Sequence, residues 1–245
     1  MFIFYSLIGL AVGSFLNVCI DRLPLGQSIL HPPSHCPNCG KPIAVRDLIP
    51  VLSYALLGGR CRYCSASIPV RVPLVELGTG VIFGLLWLWL GPGVKLAVAS
   101  LYAAILIVIT VIDLEHRLVL NKVIYPAILL FPFAAFAYGV GVKEILLGGL
   151  AGFALMLVPY LASKGGLGAG DVKLAAFIGL ANGFPNVLVA IFAASIFGGL
   201  TASFLLLTGL RGRKDPIPFA PFICLGGAVA FVWGEKILYW YIGLL

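Results

Sequence analysis

VKLAVASLYAAILIVITVID, residues 94–113, holds no charge between Lys95 and Asp113. At a rise of 1.5 Å per residue, a helical run of this length crosses a hydrocarbon core of about 30 Å. The rest of the 245 residues reads the same way: 61% are hydrophobic, 10% are charged and the mean hydropathy is +1.11. A soluble chain would carry about 25% charged residues. Disorder, nucleic-acid binding and a secreted disulfide scaffold are excluded on composition, and the solvent is the lipid bilayer. Apolar segments recur at 1–20, 73–91, 94–112, 122–140, 144–162, 171–183, 185–208 and 218–241. Gly91-Pro92-Gly93 and Asn182-Gly183-Phe184-Pro185-Asn186 punctuate them. The first segment lacks the basic start and small-residue cleavage site of a signal peptide, so it counts as a span. The expected fold is an all-α integral membrane protein of about eight transmembrane helices, with a small zinc-binding cytoplasmic insertion between the first two.

Charge orients the spans, because cytoplasmic loops collect Lys and Arg. With the N-terminus outside, the inner loops hold Arg22, Lys41, Arg46, Arg60, Arg62, Arg71, Arg117, Lys122, Lys164, Lys173, Arg211, Arg213 and Lys214. Lys95, Lys143 and Lys236 remain for the outer side, where Trp87, Trp89 and Trp240 also fall. The net charge of +7 is thereby explained without a nucleic acid.

Residues 21–72 form the long hydrophilic segment, placed in the cytoplasm by this topology. Cys36-Pro37-Asn38-Cys39 and Cys61-Arg62-Tyr63-Cys64 are two C-x-x-C knuckles near the spacing of four-thiolate zinc sites. The alternative of two disulfides is disfavoured in a reducing compartment, and a redox site needs only one pair. Four protein ligands leave no open position, so the zinc would be structural. His31 and His35 flank the first knuckle as spare ligands, and Gly40 and Gly59 suit the turns. Cys19 and Cys224 lie alone in apolar helices and read as core residues.

Most acids have bland positions: Asp21, Asp47 and Asp215 in inner loops, Glu144 and Glu235 near outer helix ends. Asp113 and Asp171 differ, since ionisable groups at membrane depth are functional candidates. Asp113 closes the third apolar run and Asp171 opens the sixth, so the topology puts both at cytoplasmic helix ends. The sixth run is short, which recesses Asp171 below the inner boundary. Two neighbouring carboxylates can activate water and protonate a leaving amine. A helix N-terminus favours Asp171 as the anionic general base, and a C-terminus favours Asp113 as the acid. The alternative is that each merely caps a helix. Gly165, Gly166, Gly168 and Gly170 precede Asp171 and allow close approach of backbone or a substrate strand.

These residues together resemble the bacterial type IV prepilin peptidases, the GxGD-type intramembrane aspartic proteases. The resemblance runs through Gly13-Ser14-Phe15-Leu16-Asn17-Val18, Asp21-Arg22-Leu23-Pro24, both cysteine knuckles and Ile49-Pro50-Val51-Leu52-Ser53-Tyr54. It continues through Arg71-Val72-Pro73-Leu74-Val75-Glu76-Leu77, Ile112-Asp113, Gly168-Ala169-Gly170-Asp171-Val172-Lys173-Leu174 and Ile217-Pro218-Phe219-Ala220-Pro221-Phe222. It implies catalysis by Asp113 and Asp171 in a bacterial inner-membrane enzyme whose active site faces the cytoplasm. The substrates would be prepilins or type II secretion pseudopilins, cut after a Gly that ends a basic leader. Methylation of the new N-terminal residue with S-adenosyl-L-methionine is implied as well, associated with segment 21–72 and the adjoining helix 73–91. Residues 94–245 would be the peptidase domain and 1–20 the first helix. No G-x-G-x-x-G loop supports the cofactor independently. The family's Pro-Asp pair after the first aspartate is missing from Leu118-Val119-Leu120-Asn121-Lys122, which leaves Glu76 and Glu115 to attract a basic leader. Gly168, Gly170 and Lys173 are further substrate candidates. Glu76 and Arg71 also suit a cofactor grip or a boundary ion pair, and Asn17 and Asn121 suit interhelical hydrogen bonds. The rival readings are a peptidase without methylation, a proton- or cation-coupled transporter using Asp113 and Asp171, and a scaffold for pilus assembly.

Overall fold

A computed structural model describes residues 1–162, 166–210, 212, 215 and 217–243. Gly165 and four of the basic residues used for orientation, Lys164, Arg211, Arg213 and Lys214, lie outside the described residues. Among those described, the elements are helical: α1 (Phe2–Arg22), a 3-10 turn (Val45–Leu48), α2 (Leu52–Leu56), α3 (Arg71–Leu90), α4 (Val94–His116), α5 (Asn121–Ala137), α6 (Val142–Ala162), α7 (Ala169–Asn182), α8 (Asn186–Leu207) and α9 (Ala220–Ile242). Every expected apolar segment is a helix, and six are long and apolar enough to cross a membrane. The remaining two are α5, at 17 residues with Pro126 and Pro132 inside it, and α7, at 14 residues. The chain divides into two compact units, Met1–Val108 and Ile109–Leu245, and α4 contributes to both.

In the first unit, α1 packs on α3 through small residues spaced four apart. A Cβ on Gly9 would stand 2.8 Å from the Cα of Gly80, and one on Gly13 would stand 2.7 Å from the Cα of Glu76. Without a hydrophobic drive between helices in lipid, such close backbone approach supplies the packing energy. At the far end Tyr5 stacks on Phe83 with centroids 5.6 Å apart, and its hydroxyl lies 2.7 Å from Ser100 Oγ on α4. At the near end Asn17 donates to the Val72 carbonyl at 3.0 Å, while Arg71 pairs with Asp21. Asn17 thus makes the interhelical bond expected of it, and Arg71 takes Asp21 rather than Glu76 as its ionic partner.

In the second unit, α7 is the interior element, packed by α5, α6, α8 and α9. Leu174, Ala175, Phe177, Ile178 and Ala181 are wholly buried along it. Phe177 meets Phe131 of α5 edge-on, and the Tyr138 hydroxyl donates to the Ala181 carbonyl at 2.8 Å. Because protein rather than lipid surrounds α7, it need not span the hydrocarbon and can carry a carboxylate. Its contact with α6 is the closest in this unit: a Cβ on Gly179 would collide with the carbonyl oxygen of Gly148. Backbone cannot move aside as a flexible side chain can. Gly179→Ala should therefore destabilise the protein by about 1–3 kcal/mol. Gly199→Ala, whose Cβ meets open space, should leave the thermal unfolding midpoint in detergent unchanged or slightly raised.

Candidate active site and metal centre

Two sites emerge, one in each unit. In the second unit, α4 ends three residues beyond Asp113, and the chain turns at Arg117 with φ 56°. The loop that follows is pressed onto the start of α7. A Cβ on Gly170 would lie 2.8 Å from the Cβ of Val119, so a side chain there would push the loop away. The absence of one keeps the loop that follows α4 against the first turn of α7. Asp171 sits in that first turn: its carboxylate accepts from the Gly168 N–H at 3.2 Å, and its own N–H donates to the Gly168 carbonyl at 3.1 Å.

Asp113 and Asp171 are 5% and 8% exposed, and their carboxyls interact electrostatically. The backbone N–H of Ala220, at the start of α9, donates to Asp113. The other oxygen, Oδ2, is buried with no hydrogen-bond partner among the described residues. Cys224, one turn further along α9, is buried as expected and bonds to Thr110, within electrostatic range of both aspartates. The role of α9 is not visible in hydropathy. Its signal was the polar-free Pro-Phe-Ala-Pro stretch at residues 218–221, where the prolines leave few N–H groups and Ala220 supplies one.

The other candidates spread out. Glu115 is exposed beside the end of α4. Lys173 donates to Asn121 Oδ1 at 2.9 Å and lies 5.1 Å over the Tyr125 ring, so it ties α7 to α5. Asn121 makes its interhelical bond as acceptor. Glu76 belongs to the first unit, 6% exposed, with Oε2 accepting from the Val51 N–H at 2.7 Å. Val51 holds φ at 63°, a strained value for a β-branched residue. Glu76 anchors that bend, a pairing no local pattern announces.

The metal centre is built from two copies of one turn. In the first, Cys36 N–H donates to Lys41 O and Gly40 N–H to Cys36 O; in the second, Cys61 N–H donates to Ala66 O and Ser65 N–H to Cys61 O. Gly40 and Ser65 hold equivalent positive-φ positions, 68° and 58°. The second knuckle thus puts Ser65 where a glycine was expected, and Gly59 instead makes room for the Tyr54 ring. The sulfurs of Cys36, Cys39, Cys61 and Cys64 lie within 4.8 Å of one another, and no disulfide joins them. A tetrahedral ion with bonds of about 2.3 Å separates its sulfurs by about 3.8 Å. Cys36 and Cys64 are 3.8 Å apart.

Electrostatics agree with a cation. The N–H groups of Cys39 and Asn38 hold the Cys36 thiol below its ordinary value, and the Ala66 N–H with the Asn38 amide brings Cys64 to about 6. At Cys39 the Lys41 N–H acts downward, but desolvation and the neighbouring sulfurs outweigh it and push the thiol up to about 11. Four sulfurs this close could all be thiolates only around a positive ion, and the donor set could hold a metal such as zinc. Arg62 braces the second knuckle by donating to both oxygens of Asp47, at 2.8 and 2.5 Å, and holds that carboxyl below the usual range. Lys41 of the first knuckle lies over the Tyr63 ring of the second.

A multi-pass helical protein with a buried aspartate pair and a four-cysteine insertion is the class these features define. Residues 7–90 match the model of the bacterial peptidase A24 N-terminal domain, and residues 100–203 match that of the type IV leader peptidase family. A protein named prepilin leader peptidase/N-methyltransferase from Bacillus subtilis is 34% identical, over 96% of this chain and 95% of its own. Proteins of the same name from Aeromonas hydrophila and Pseudomonas aeruginosa are each 31% identical, over 98% and 96% of this chain and 94% and 91% of theirs. No solved structure matches the chain. The chain belongs to the type IV leader peptidase family and is an enzyme of that family.

Proposed function

We propose that the chain is a membrane aspartic endopeptidase that removes the basic leader of a type IV prepilin or type II secretion pseudopilin. Cleavage falls after a Gly at the cytoplasmic face, and the new N-terminal residue is then N-methylated. The observation that carries the peptidase reading is the pair of buried acids, Asp113 and Asp171, brought into electrostatic contact by the end of α4 and the start of α7. In this reading Asp171, at a helix N-terminus, takes the proton of the attacking water. Asp113, in the last turn of α4, gives its proton to the leaving amine as the peptide C–N bond breaks. The Gly168 and Ala220 N–H groups hold the two carboxyls in place, and the orphan Oδ2 of Asp113 is the atom left for water or substrate.

Glu115, exposed in the last turn of α4, helps attract the basic leader by its charge. Zinc on Cys36, Cys39, Cys61 and Cys64 is structural, folding residues 21–72 into two knuckles. The names of the similar proteins support methyl transfer, for which S-adenosylmethionine would supply an electrophilic methyl group. Glu76 and Arg71, the residues nominated to grip it, are engaged by Val51, Asp21 and Asn17 in this structure. The distribution of Lys and Arg supports an outside N-terminus and a cytoplasmic active site in the bacterial inner membrane.

Purified protein in detergent, given a peptide with a basic leader, Gly, Phe and an apolar helix, should yield a product beginning at Phe. With S-adenosylmethionine that product should gain one methyl group by mass spectrometry. No cleavage across several leaders by folded, metal-loaded protein would overturn the peptidase. Cleavage without methylation would overturn the transferase alone.

A further inference from the structure

The metal-binding insertion carries an apolar surface that neither the knuckles nor the aspartate site uses. The 3-10 turn exposes Val45 and Leu48, three apart and therefore on one side, and α2 exposes Leu52 and Leu56, four apart. Ile49 between them is exposed too, and Val45 and Leu56 reach 85% and 77% exposure. This is not a loosely held segment. Tyr54, on the opposite side of α2, lies against Gly59 beside the second knuckle, and Arg62 clamps Asp47. A braced element with all its large aliphatics facing out requires an apolar partner.

Its depth identifies the partner. Helix α3 has 20 residues, about 30 Å at 1.5 Å each, which matches the hydrocarbon thickness if Arg71 marks the boundary. The ion pair of Arg71 with Asp21, at the end of α1, sits at that level. Glu76 is five residues further in, about 7.5 Å along the helix. Its side chain can recover only part of that depth, yet Oε2 holds the Val51 N–H at 2.7 Å. Val51, immediately before α2, is thereby fixed at the edge of the hydrocarbon. At the start of α3, Val70, Leu74 and Leu77 are likewise exposed, four and three residues apart and so on one face.

Charge agrees. Residues 21–72 contain two acids, Asp21 and Asp47, and each is paired with an arginine. Arg46 lies within the 3-10 turn and Arg60 four residues after Leu56, and both are exposed, available to phosphate headgroups.

We propose that residues 45–56 are an interfacial element. Val45, Leu48, Ile49, Leu52 and Leu56 lie in the outer acyl layer of the same leaflet that α3 enters, and Arg46 and Arg60 lie among anionic headgroups. The metal centre is then held on the bilayer surface rather than free in the aqueous phase. The proposal stands independently of the peptidase chemistry.

The wild-type chain in nanodiscs of anionic phospholipid, doped with a phospholipid bearing an acyl-chain diazirine, should be photolabelled at residues 45–56 as strongly as at 74–77. Residues 34–41, in the first knuckle, should stay unlabelled. Leu52→Trp should gain a blue-shifted emission component that is quenched by acyl-brominated lipid, and Ser67→Trp should gain an unquenched one. Labelling of 74–77 without 45–56, or an unquenched added emission from Leu52→Trp protein that retains its metal, would overturn the proposal. So would a surface that is water-exposed in the bilayer and becomes covered only when a basic-leader peptide is added.

Discussion

Asp113→Asn and Asp171→Asn are each expected to lower leader cleavage by at least about 10²–10⁴-fold, the range for loss of a positioned acid or base. Both variants should remain folded. An amide side chain at position 171 keeps an oxygen to accept from the Gly168 N–H, as Asp171 does, and a carbonyl at position 113 still accepts from Ala220. What each loses is the ability to take up or give a proton. Because the two groups act on one water and one leaving amine, the double variant should be little worse than either single one. Glu115→Gln leaves the pair untouched and should raise the KM for basic leaders with little change in kcat. Product formation measured by mass spectrometry, with unfolding midpoint and metal content as controls, decides the matter. A folded variant within tenfold of wild type would remove that aspartate from the mechanism.

The second large effect concerns the metal. Structural zinc sites contribute apparent free energies of about 10–16 kcal/mol, more than the stability of most domains. The two knuckles meet chiefly through their sulfurs, the Asn38–Cys64 contact and Lys41 over Tyr63. Cys36→Ser or Cys61→Ser should therefore abolish stoichiometric zinc binding and expose residues 34–68 to proteolysis. Asn38→Ala should do much less, because it removes one contact to sulfur and no ligand. Metal analysis and limited proteolysis of the chain in detergent would show this. A metal-free chain with undiminished protection over 34–68 would refute a structural zinc.

Near-sequence effects were legible and long-range ones were not. The apolar runs predicted every long helix, because hydropathy over twenty residues is a local quantity. The two C-x-x-C turns predicted the four-sulfur cluster, because each knuckle is closed by bonds within five residues. At 17 and 14 residues, α5 and α7 are shorter than the six helices that length and composition mark as candidate spans. The short length of α7 suggests a recessed Asp171; what the structure adds is that four other helices pack on α7, so it faces protein. Glu76 and Arg71 show the opposite failure. Their charges drew attention, but their partners, Val51 and Asp21, lie 25 and 50 residues away.

The chain's own order of residues therefore determined its apolar character and its helices, placed four cysteines for one cluster, and nominated an orientation and an aspartate pair for the proposed chemistry. Each of these follows from composition or spacing within a short window. Tertiary structure alone decided that Gly170 admits Val119 and so brings Asp113 to Asp171. It also decided that Ala220 supplies the N–H to Asp113, and that Glu76 accepts from the Val51 N–H. Those contacts join groups far apart in the sequence, a glycine to a loop side chain and two carboxylates to backbone N–H groups, so no short window of residues carries them.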